Sequence, residues 1–179
     1  MTISKYQRNN IVKLYNYLSM LPEDYEHFDM KHYHSYQDKD GYVILGEVSD
    51  MVNITGECIT KCGTVACVAG HGPYAGIKIK TGDMFWDYYI KREFIDPNKH
   101  NVEWHFLFSS KWRKVAPSLN DAVQRLEYFI LNKFKLANQW TENCGGLYFR
   151  YDMVDDWKSY LDVEIDTLRS NGAAIPHVE

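Results

Sequence analysis

Cys58-Ile-Thr-Lys-Cys62-Gly63-Thr64-Val65-Ala66-Cys67-Val68-Ala69-Gly70-His71-Gly72-Pro73 is the stretch on which the reading of this chain turns. Three of the four cysteines, one histidine and three glycines fall within its sixteen residues. Gly63-Thr64 supplies a helix start, and Gly70 to Pro73 supplies a stop. The spacing therefore predicts a short, buried helix of small residues over 64–70. Ala66, Ala69 and Gly70 would let another element approach closely, and a buried free cysteine behaves as a small hydrophobe. The segment is expected to be a packed hub around which the aromatic-rich elements assemble.

Working outward, residues 9–20 carry Ile11, Leu14, Tyr15 and Leu18 at helical spacing, with Asn9 or Asn10 as the cap. Residues 25–42 are rich in aromatics and histidine without a clean period, and are expected as an ordered loop. Residues 42–45 are short and apolar, and periodicity does not separate a strand from a buried helix there. Residues 74–80 are expected to be extended, and 84–94 an amphipathic helix. Asp96-Pro97-Asn98 then makes a turn ahead of an aromatic block at 102–112. The clearest helix spans 120–137, with Ala122, Val123, Leu126, Phe129, Ile130 and Phe134 on one face and Gln124, Arg125, Asn132, Lys133 and Lys135 mainly elsewhere. Residues 147–151 are a candidate edge strand, 155–168 a last amphipathic helix, and the final residues are expected to be loose. The fold class expected is α+β: a compact, mostly helical single domain over 1–179 with a small-residue central helix and minor β-structure.

Composition bounds the function. A chain of 179 residues buries a real core without disulfide or metal staples. The net charge is -4, and residues 151–179 hold seven acids against two bases, leaving 1–150 close to neutral. No basic stripe is present, which argues against broad nucleic-acid binding. No apolar run is long enough to cross a bilayer, and no basic-then-apolar leader opens the chain. The clustered cysteines suggest thiols in a reducing compartment, hence a cytoplasmic protein.

Three chemistries compete with simple packing in the central stretch. Cys58, Cys62, Cys67 and His71 total the four ligands of a closed zinc site, although their intervals are not those of a Cys-x-x-Cys knuckle. Cys62 or Cys67 is a candidate nucleophile of a cysteine-dependent hydrolase or transferase, because a helix N-terminus lowers a thiol's pKa. His71 lies one turn past Cys67, a poor geometry for proton transfer within one helix, so a base such as His32, His34 or His105 would be needed. The third chemistry is anion binding. Gly63, Thr64 and Val65 would offer free N–H groups at a helix start, with Arg92, Arg113 and Lys111 available for a phosphate. Packing is the reading favoured, with no cofactor and no metal.

The pattern Cys62-Gly63-Thr64-x-x-Cys67-x-x-Gly70-His71-Gly72 resembles one in uncharacterised small proteins encoded by tailed phages and their bacterial hosts. The likeness takes in Leu21-Pro22, His27 to Met30, Trp86, Tyr89, Phe94, Trp104, Leu107 to Ser109, Trp112, Ala122, Arg125 and Leu126, most of 9–135. It does not reach the acidic C-terminal section. The resemblance implies an accessory viral or prophage protein rather than a housekeeping enzyme, and the function expected is non-enzymatic binding of a host protein or a small anionic, nucleotide-like ligand, with counter-defence in the host cytoplasm among its roles. The alternatives held open are the cysteine-dependent enzyme and a zinc-stabilised interaction domain.

Overall fold

The structure is a computed structural model that describes residues 2–25, 28, 35–37, 43–45, 67–80, 86–109, 111–112, 115–138, 140 and 157–178. Helix α1 spans Lys5–Leu18. It starts four residues earlier than the asparagines suggested, because Ser4 is the cap: the Gln7 N–H donates to Ser4 Oγ at 3.2 Å and the Ser4 N–H donates back to Gln7 Oε1. Asn10 instead sits inside the helix, buried beside Ile11, Leu14 and Leu18.

Helix α2 spans Trp86–Glu93, with Lys91 and Arg92 in its last turn, where cations suit the helix dipole. Helix α3, Asn101–Phe108, takes up the aromatic block and buries three consecutive residues, Phe106, Leu107 and Phe108. Helix α4, Leu119–Leu131, begins with a reciprocal Ser118–Asp121 capping box. Helix α5, Trp157–Ser170, buries Trp157, Leu161 and Ile165 at intervals of four.

Helix α4 is the centre of the assembly. It packs against α1, α3 and α5, while α1 also packs against α2. Asp121, Gln124 and Glu127 meet Lys158, Asp162 and Arg169 in that order, so α4 and α5 run in the same direction. Burial on α4 extends well beyond an apolar stripe and includes Asp121, Arg125 and Glu127. Arg125 is 0 % exposed, with its guanidinium 4.3 Å from the Trp112 ring centroid, so the expectation that it lay off the core face is corrected.

The α+β class is corrected as well. The described residues form a helical assembly of five α-helices. Among the described residues the strands form a single ladder of three residues a side, β1 (Ser35–Gln37) against β2 (Val43–Leu45), antiparallel with Tyr36 opposite Ile44, and Phe28 is an isolated bridge residue. Two such strands are too small to form a layer on which helices pack. The small-residue central helix is also overturned. Within the described part of that segment only a 3-10 turn forms, at Ala69–His71, and the central position belongs to α4.

Two chain ends of helices depart from expectation for local reasons. Helix α4 stops at Leu131, with Asn132 as its cap, rather than at 137. The Lys133 N–H bonds the Ile130 carbonyl and the Phe134 N–H bonds the Phe129 carbonyl, with Lys133 and Phe134 at φ 56° and 60°. This is a Schellman closure made without glycine, and the edge-on packing of Phe134 on Phe129 is its hydrophobic contact. Helix α5 closes the same way, with Gly172 at φ 83° and the Ala173 N–H bonded to the Leu168 carbonyl. Ala173, Ile175 and Val178 then pack against the core, so the segment expected to be loose is anchored. The candidate edge strand at 147–151 lies outside the described residues.

Candidate functional site

The described half of the Cys- and Gly-rich stretch is a tight turn sunk in the interior. The His71 N–H bonds the Cys67 carbonyl at 3.1 Å, and the His71 carbonyl accepts from Tyr74 and Ala75. Cys67 is 3 % exposed and His71 1 %. Among the described residues, four rings surround the imidazole. Phe28 stacks nearly parallel to it at 5.9 Å and 11°. Tyr25 lies at 5.7 Å, and Tyr17 and Tyr74 at 6.0 Å, all tilted. Tyr17 comes from α1 and Tyr25 from the turn that follows it, so the box joins the first helix to the 67–77 turn.

This environment also acts on the phenols. Burial pushes the Tyr17 hydroxyl up to about 12, helped by the neighbouring Tyr25 to which it hydrogen-bonds. Burial raises Tyr25 too, although the hydrogen bond from Tyr17 opposes the shift. On the other side, the turn meets α2. The Tyr89 hydroxyl donates to the Ile77 carbonyl at 2.8 Å. Gly72 lies so close that a Cβ there would overlap the Tyr89 hydroxyl and come within 2.8 Å of Phe94 Cζ.

A general base or a metal ligand must come within hydrogen-bonding or coordinating distance of what it acts on. The enclosed His71 imidazole presents no surface to a solute. Cys67 and His71 are brought together as neighbours in one backbone turn, in the role of core residues.

Arg92 is committed elsewhere. Its Nε–H donates to Glu93 Oε1, and its guanidinium lies 5.9 Å from the Tyr89 ring centroid. Glu93 is 0 % exposed and accepts also from the Tyr6 hydroxyl and, at 2.9 Å, from Asn10 Nδ2. Asn10 donates to the Glu93 carbonyl as well. A buried carboxylate is tolerated only when paired and hydrogen-bonded, and these three donors meet that need while tying α1 to α2. The cluster was not legible in the sequence, because Tyr6 and Asn10 lie 87 and 83 residues before Glu93 and none of its members carries a motif. His105, on α3, is half-buried with Trp104 edge-on at 5.1 Å, and its pKa is lowered by burial first and then by Lys111.

Cys58, Cys62, Gly63, Thr64, Val65 and Arg113, together with His32 and His34, lie outside the described residues. Among the described residues no group of three or more His, Cys, Asp or Glu side chains could hold a metal ion, and no helix is long and apolar enough to cross a membrane. A hollow of about 130 Å3 opens between the end of α1 and the start of α4, lined by Leu18, Leu21, Glu23, Asn120 and Val123 among others.

No protein-family model matches the chain, and no curated protein or solved structure matches it.

Proposed function

We propose that this chain is an accessory protein of phage type that works in the host cytoplasm by binding rather than by catalysis. Its ligand is a host protein or a small anionic, nucleotide-like molecule. The observation that supports binding over chemistry at Cys67 is the burial of Cys67 in the core and of its neighbour His71 inside the aromatic box. A nucleophilic thiolate needs an exposed, electropositive setting, and a thiol packed as a hydrophobe lacks it. The phage assignment rests on the motif likeness alone. The engagement of Arg92 by Glu93 leaves the anion-binding reading dependent on Gly63, Thr64, Val65, Lys111 and Arg113.

Alkylation of the native protein at neutral pH, mapped by mass spectrometry, should leave Cys67 unmodified until denaturant is added. Turnover of an ester or thioester substrate that disappears in Cys62→Ser or Cys67→Ser would overturn the binding reading. A thermal-shift panel of nucleotides separates the two ligand classes. A ligand at 100 times its Kd stabilises the folded state by about 2.7 kcal/mol. A shift lost in Arg113→Ala supports the anionic ligand, and no shift with any nucleotide leaves the host protein. Metal analysis of the purified protein tests the zinc alternative: one equivalent of zinc, lost in Cys58→Ser, would favour it.

A further inference from the structure

No further inference is drawn: the strongest candidate, the hollow between the C-terminal end of α1 and the first turn of α4, carries nothing, because it rests on a helix N-terminus already capped by Ser118 and Asp121, with no second observation that points to a ligand.

Discussion

Gly72 is held by contact rather than by conformation. Its φ is -55°, which any residue adopts, yet Tyr89 and Phe94 leave no room for a Cβ. The neighbours are a ring carbon and a hydroxyl already bonded to the Ile77 carbonyl, so neither yields cheaply. Overpacking of this kind costs about 1–3 kcal/mol, and Gly72→Ala is expected to lower stability to urea by that amount. An unchanged urea midpoint would show that the 67–77 turn is not pressed on α2. Lys133 presents the opposite case. It occupies the left-handed region at φ 56°, where an L-residue loses about 1–2 kcal/mol, against about 0.5–1 kcal/mol of extra chain entropy for glycine. Lys133→Gly should therefore raise stability by about 0.5–1 kcal/mol. A lower melting temperature in that variant would contradict the Schellman ending of α4. The two positions also explain one limit of the sequence. A glycine marks the end of α5, but lysine carries no such signal at the end of α4, and the apolar period continues through Phe134.

At the scale of elements, the α4–α5 pairing combines an apolar seam with polar edges. Leu161 is fully buried and Ile165 nearly so. The flanking ion pairs, Asp121 with Lys158 at 3.2 Å and Glu127 with Arg169, involve cations whose side chains are about half exposed. Exposed pairs contribute about 0–1 kcal/mol, because water screens the charges and two long side chains lose freedom. Burial of a leucine is worth several times more. Leu161→Ala is expected to cost about 2–5 kcal/mol, and Lys158→Ala less than about 1 kcal/mol, in equilibrium unfolding. Equal losses would mean that charge, not the seam, orders α5. The existence of α1, α2, α4 and α5 was legible from the 3.6-residue apolar period. Helix α3 carries no such signal, because Trp104, Phe106, Leu107 and Phe108 are too uniformly apolar to show a period.

Across the whole molecule, the aromatic content has an electrostatic consequence. Tyr15, Tyr17, Tyr25, Tyr128 and Tyr160 all have hydroxyls raised above 10, with burial the first cause in each. Tyr6 is raised chiefly by its hydrogen bond to Glu93. Above pH 10 the unfolded chain releases these protons while the folded chain keeps them. The native state then binds more protons than the unfolded state, so stability falls as pH rises. The Tyr17 contribution is complete below pH 10 and is lost as pH rises through about 12. His105 acts on the acid side with the opposite sign. Its lowered pKa gives a contribution present above 6.5 that is lost as pH falls through the folded value. Urea midpoints measured across alkaline pH should decline together with tyrosinate absorbance. A midpoint that stays level from pH 10 to 12 would refute the burial of these phenols.

The sequence by itself determined the helical periods, the aromatic-rich interior and the packing of Cys67, since each follows from local spacing or from the apolar character of the residues. Only the tertiary structure decided the rest. It made α4 rather than the small-residue turn the centre, placed Arg125 on Trp112, and gathered Tyr6, Asn10 and Arg92 around Glu93. Those outcomes depend on which apolar faces meet across long chain separations, and on buried charges finding partners there. No local period or spacing encodes either.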